Sequence, residues 1–175
     1  MEWLKEILDK ILVLFPMTQI ITPYEAGVKI TCGKWYKRLG PGWYVIWPLI
    51  QRIVYMEIQT QVVDLKVQSI PTEDKSDLMV SGAIQYSIKD IEKAVLNVQD
   101  VDKSLATLAL GVIFDFISHR TLQECGDTNA LKKEILKGIK EAAPGWGLKI
   151  EKVYITDMGK TRNIRLLGDG INGTG

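Results

Sequence analysis

The sequence has 175 residues, with 22 basic against 21 acidic side chains, one histidine and two cysteines. That length suits one domain with short appendages, and the balanced charge excludes a general pull toward nucleic acid or anionic surfaces, leaving any electrostatic preference to local patches. A lone His119 excludes a histidine-based metal cluster, and Cys32 and Cys125 form neither a CxxC pair nor a zinc spacing, which suits a reducing, cytosol-facing location.

The first patterned segment is MEWLKEILDKILVLF. Apolar residues fall at Trp3, Leu4, Ile7, Leu8, Ile11, Leu12 and Phe15, with Glu2, Lys5, Glu6, Asp9 and Lys10 between them, the recurrence of an amphipathic helix that Pro16 should end. About 15 residues make a helix roughly 22 Å long, short of the roughly 30 Å hydrocarbon core, so it should not span a bilayer. Scattered charges and the absence of a small-residue cleavage site also separate it from a secretory signal. Three placements stay open: in the membrane interface, in the groove of a partner protein, or against the core of its own domain. Acids outnumber bases here, so lipid binding would have to come from apolar burial.

From Gln19 to Gln68 the signals become strand-like. QIITP, GVKITC, WYVIWP, RIVYMEIQTQ and VVDLKVQS are rich in Val, Ile, Thr and aromatic residues, with Gly and Pro between them. In LGPGWY, Pro41 and Gly42 suit the two central positions of a type II turn, which predicts a hairpin or small antiparallel sheet.

Trp35, Tyr36, Trp43, Tyr44 and Trp47 flank that turn and should crowd around it on both strand faces. Some should be core, and the rest exposed. No acidic residue lies between Glu25 and Glu57, whereas Lys29, Lys34, Lys37, Arg38 and Arg52 do. A cationic, aromatic turn fits an anionic lipid surface, with Lys34, Lys37, Arg38 and Arg52 at the headgroups. A purely structural cluster and a single-stranded nucleic-acid surface are the competing readings, although no wider basic stripe supports the second.

Farther on, LMVSGAIQYSIKD alternates Leu78, Val80, Ile84, Tyr86 and Ile88 with polar residues, the pattern of a half-buried strand returning onto the first sheet after the polar SIPTEDKSD. Helices follow. One begins at an Asp90 cap; a second, from Asp100 or Asp102, turns Val101, Leu105, Leu108, Val112, Ile113, Phe116 and Ile117 inward. The third, capped by Asp127 or Thr128, buries Leu131, Ile135, Leu136, Ile139 and Ala142 until PGWG stops it. LKIEKVYITDM then returns as a strand, and strands, helices and a final strand make an α+β fold.

The ordered set GVKITCGKWYKRLGPGWYVIWPLIQRI, SIPTEDKSDLMVSGAIQYSIKDIEKAVLNVQD, HRTLQE and WGLKIEKVYITDM resembles the stomatin/prohibitin/flotillin (SPFH) superfamily, roughly from Tyr24 to Met158. The resemblance implies a membrane-attached scaffold that assembles into homo-oligomers and organises a membrane patch or a membrane-protein client such as a protease. It implies that Trp3 to Phe15 anchor the chain and that the Pro41 to Trp47 region makes a second bilayer contact. The division expected is an amphipathic helix over 1–17, an SPFH domain over 18–160 and a tail over 161–175. Longer members continue into an Ala/Glu-rich helix; here the last eight residues include four glycines, which read as flexible and weaken the expectation of large closed rings.

Enzymatic signatures are missing: the sequence has no P-loop or HExxH pattern. A Cys125–His119 pair is conceivable, but a histidine at a helix C-terminus has a plainer role in the dipole. The expectation is a non-enzymatic scaffold on the cytoplasmic face of a membrane, with no cofactor and no nucleic-acid partner. The alternative is a soluble interaction module whose N-terminal helix fills a partner's groove.

Overall fold

The computed structural model describes residue 2 and residues 15–161. Trp3, Leu4, Ile7, Leu8, Ile11 and Leu12 of the N-terminal segment, and the tail beyond Thr161, lie outside the described residues. The described chain runs β1 (Met17–Ile21), β2 (Glu25–Thr31), β3 (Trp35–Leu39), β4 (Gly42–Ile46), β5 (Gln51–Glu57), β6 (Gln61–Pro71) and β7 (Asp77–Ile88). Helices α1 (Ile91–Asn97), α2 (Val101–Ser118) and α3 (Thr128–Ala142) follow, then β8 (Leu148–Thr161). The order is the α+β succession expected from the sequence. It falls into two compact units.

The first unit comprises the described residues up to Gln61 with Tyr86–Val101 and Ala143–Glu151. Its strands form two sheets, β1–β4 and β3–β2–β5, all pairs antiparallel. Of the expected hairpin or small antiparallel sheet, the structure has the second: β3 and β4 flank Gly40–Pro41–Gly42 but do not pair, because β3 pairs with β2 and β4 with β1. Gly42, at φ +150°, lies far from the roughly +80° of a type II turn, and the corner hands the chain from one sheet to the other. The hairpin turn sits earlier, where Cys32 and Gly33 both take positive φ and Lys34 N–H donates to the Thr31 carbonyl.

Ile21, Ala26, Val28 and Leu39 are buried in this unit, and α1 packs on β2 and β5 through Ile91 and Ala94. Asp90 caps α1, its carboxylate accepting from Lys93 N–H. The PGWG segment has a specific role: the Gly147 carbonyl accepts from both Lys89 and Asp90 N–H at 2.9 Å. A Cβ at Gly147 would lie 2.3 Å from the Asp90 carbonyl oxygen, and its φ of +69° suits only glycine well.

The second unit comprises Val62–Gln85, Asp102–Ala142 and the described residues from Lys152 onward. β7 lies between β6 and β8 in the third sheet, so the strand expected to return onto the first sheet pairs elsewhere. Leu78, Val80 and Ile84 are buried as their alternation requires. Gly82 lets β8 approach: a Cβ there would stand 2.4 Å from the Tyr154 carbonyl oxygen. Along α2, Leu105, Ala109, Ile113, Phe116 and Ile117 are buried while Leu108 and Val112 are half-buried; along α3, Leu131, Ile135 and Ile139 are buried, Leu136 is half-buried and Ala142 is exposed. Asp127 caps α3, accepting from Asn129 and Ala130 N–H.

Candidate functional site

Three chain segments converge at one end of the strand-rich unit. The N–H groups of Ile50 and Gln51 both donate to the Trp47 carbonyl, at 3.0 and 2.8 Å, which folds the β4–β5 connection tightly. Cys32 N–H, in the β2–β3 turn, donates to the Ile50 carbonyl at 2.7 Å and ties that connection to the hairpin tip. Met17 pairs with Ile46, so the chain enters β1 at this same end. Phe15 and Met17 therefore stand beside the tip.

Large apolar side chains at this end are in solvent. Trp35 is 68% exposed and Leu49 70%, and Tyr36, Trp47 and Ile50 are exposed with them. Lone exposed hydrophobics are ordinary, but a set gathered on one tip is the feature that marks an interaction surface. The tip is also cationic. The Lys34 ammonium lies 5.5 Å from the Trp35 ring centroid, a cation–π distance. Arg52 and Tyr36 both lie opposite Ile30, one row behind the tip, and Lys37 lies opposite Lys29. Among the described residues, none of these four cations is in an ion pair.

A second apolar surface belongs to the β1–β4 ribbon. Opposed residues in an antiparallel pair share a face, so Ile20 with Trp43 and Thr18 with Val45 line one side. Trp43 is 77% exposed, and Val45 and Ile20 are exposed beside it. The alternation continues to Trp47, which links this ribbon face to the tip. Tyr44 takes the opposite parity, is half-buried and donates its hydroxyl to the Gly40 carbonyl at 2.9 Å.

The sequence-selected aromatics thus do not form one cluster around the Gly-Pro-Gly corner. Trp35 and Trp47 lie at the tip with Tyr36 one row behind, Trp43 lies toward the other end of β4, and none of the five is buried. Of the selected cations, Lys34 lies at the tip and Arg52 behind it. Arg38 lines a cleft with Lys89, Asp90, Lys93 and the Pro144–Leu148 loop. Sequence reasoning missed Met17, Ile20, Val45, Leu49 and Ile50, because aliphatics in a strand run read as core. For Ile20 and Val45 the signal was parity with Trp43, and for Leu49 and Ile50 the apolar Trp-Pro-Leu-Ile run after β4; Met17 carried neither.

The Cys125–His119 pair does not form. His119 Nδ1 lies 2.9 Å from the Asp115 carbonyl and 3.1 Å from the Ser118 hydroxyl, at the end of α2. Cys125 is buried, and burial pushes its thiol pKa up, the reverse of what a nucleophile needs. Among the described residues no three His, Cys, Asp or Glu side chains are grouped to hold a metal, and no helix is long and apolar enough to cross a membrane.

Antiparallel sheets, three helices and a returning strand, with an exposed aromatic tip where the chain enters, define an α+β domain of the kind the sequence motifs resemble. The family model described as SPFH domain / Band 7 family matches residues 19–165, and the chain belongs to that family. It is similar to Stomatin-4 of Caenorhabditis elegans, 27% identical over 89% of this chain and 59% of the relative. It is also similar to a stomatin homolog of Pyrococcus horikoshii, 27% identical over 80% of this chain and 53% of the relative. Against mouse stomatin the identity is 22%, over 85% of this chain and 55% of the relative. The chain thus spans little more than half the length of these three relatives.

Proposed function

We propose that this SPFH-family chain is a non-enzymatic, membrane-associated scaffold that self-associates and organises a lipid patch or a membrane-protein client. The observation that carries the reading is the tip: Trp35, Tyr36, Trp47, Leu49 and Ile50 exposed together, cations around them, and the chain entering at Phe15 beside them. Tryptophan and tyrosine favour the bilayer interface, where an apolar body and a polar edge are both accommodated, and the cations favour anionic headgroups. The apolar residues of the N-terminal segment, Trp3 to Leu12, precede this end directly in sequence and supply the first anchor. Client identity, a membrane protease included, would be decided by surfaces other than the lipid contact.

Vesicle flotation tests the reading. The full chain should float with phosphatidylcholine/phosphatidylserine vesicles, and a chain lacking residues 1–17 should float much less. If neither floats, the scaffold does not act at a lipid surface and the N-terminal segment serves a protein groove instead.

A further inference from the structure

The cleft that holds Arg38 is a candidate ligand site distinct from the apolar tip. Its volume is about 320 Å³, and Arg38, Lys89, Asp90, Lys93, Pro144, Gly147 and Leu148 line it. Arg38 projects from β3 on the face it shares with Val28, Lys89 follows β7, and the Pro144–Leu148 loop closes the far wall.

Its electrostatics are one-sided. The single carboxylate, Asp90, is already committed: it accepts from Lys93 N–H at 3.5 Å and pairs with the Lys93 ammonium at 3.8 Å. Among the described residues, Arg38 and Lys89 are in no ion pair, so two positive charges face the cleft uncompensated. The Gly147 carbonyl is also engaged, since it already takes two N–H donors. What remains in the cleft is a planar five-donor guanidinium beside the unpaired Lys89 ammonium, which suits a tetrahedral dianion held bidentately by arginine and neutralised by lysine.

We propose that this cleft binds a phosphate monoester. The cleft has room for the phosphate and the small polar group that carries it. Arg38 stands three residues along β3 from Trp35, roughly 10 Å from the tip. A phosphate raised above the bilayer on a lipid headgroup reaches that height when the tip is inserted, and a free phosphorylated metabolite reaches it at any time. The phosphate site stands apart from the membrane reading; only its lipid source rests on that reading.

The experiment titrates the full, 15N-labelled chain without lipid, first with inorganic phosphate and then with glycerol 3-phosphate, following the amides of Lys89, Asp90, Lys93 and Gly147. Saturable shifts at these amides are expected, weakened about tenfold by Arg38→Gln and similarly by Lys89→Gln, as for loss of one charge-assisted contact. Lys132→Gln, an α3 control, should leave them unchanged. Flotation with phosphatidylcholine vesicles, with and without phosphatidylinositol 4-phosphate, then separates the sources. A phosphoinositide-dependent gain that Arg38→Gln abolishes assigns the phosphate to lipid; phosphate shifts without that gain assign it to a soluble ester. Shifts that never saturate, or that Lys132→Gln weakens as much as Arg38→Gln, overturn the site. Flotation on neutral vesicles reads the apolar tip alone, so the two proposals fail separately.

Discussion

The backbone N–H of Cys32 donates to the carbonyl of Ile50 at 2.7 Å, and that one bond makes a single surface of the β2–β3 turn and the β4–β5 connection. Trp35 and Tyr36 come from one side of it, Trp47 and Leu49 from the other.

Leu49→Asp should therefore reduce vesicle binding at least tenfold while leaving thermal stability unchanged. The side chain is in solvent in the folded protein, so removing it costs the fold little, whereas burying a leucine in lipid gains about 1.5–3 kcal/mol. Trp43→Ser, on the ribbon face, should have a smaller effect if the tip leads. Sedimentation with vesicles and a melting curve for each variant decide the order. Equal losses would make the ribbon face part of the primary contact.

The two thiols should differ sharply in reactivity. Cys32 is exposed at the tip, while Cys125 is buried with its thiol pKa raised by that burial. Native protein should take up one equivalent of maleimide, at Cys32, and two only after unfolding. A polarity-sensitive dye on Cys32 should shift to the blue with vesicles, and an unchanged spectrum would place the tip away from the bilayer.

Gly82→Ala should lower the melting temperature by about 5–10 °C, corresponding to roughly 2–3 kcal/mol. Its methyl group would meet the Tyr154 carbonyl oxygen, a backbone atom that cannot rotate away. A one-residue slip of β7 would bring Ser81 or Ala83 to the same place, so the glycine also pins the register. A melting temperature within a degree of the parent would mean that β8 yields without cost.

Two carboxylates should tie stability to acid pH. The Thr72 hydroxyl donates to Asp74, and the Thr121 N–H and hydroxyl donate to Glu124, at 2.9 and 3.0 Å; these bonds hold both groups below their ordinary pKa. A pKa lower in the folded than in the unfolded state stabilises the protein above the unfolded value, roughly pH 4, and that contribution fades as pH falls through the folded value. Asp74→Asn with Glu124→Gln should melt below the parent at pH 7 and approach it near pH 3. A constant gap would disprove the linkage.

Element types were legible in the sequence because their causes are local. Alternation marked β7, Asp90 and Asp127 marked helix starts, and Pro144 to Gly147 marked a stop. Strand pairing was not legible. Gly-Pro-Gly carries strong turn chemistry and drew the hairpin to itself, whereas the chain reverses at Cys32-Gly33, where a cysteine at φ +53° leaves no compositional sign. The tip was half legible for the same reason: aromatics announce an interface by their chemistry, but Leu49 and Ile50 declare themselves only once Cys32 is seen to hold them beside Trp35.

The entry of the chain at Phe15, two residues before Met17 pairs with Ile46 beside Trp47, has one more consequence. On the proposed function, a surface that receives the tip also receives Trp3 to Leu12, which stand three to twelve residues before Phe15 in the sequence, at an effective concentration in the millimolar range. Two contacts too weak to persist alone would then hold by avidity, and weakening either one would release both, which makes attachment a threshold response and leaves it reversible.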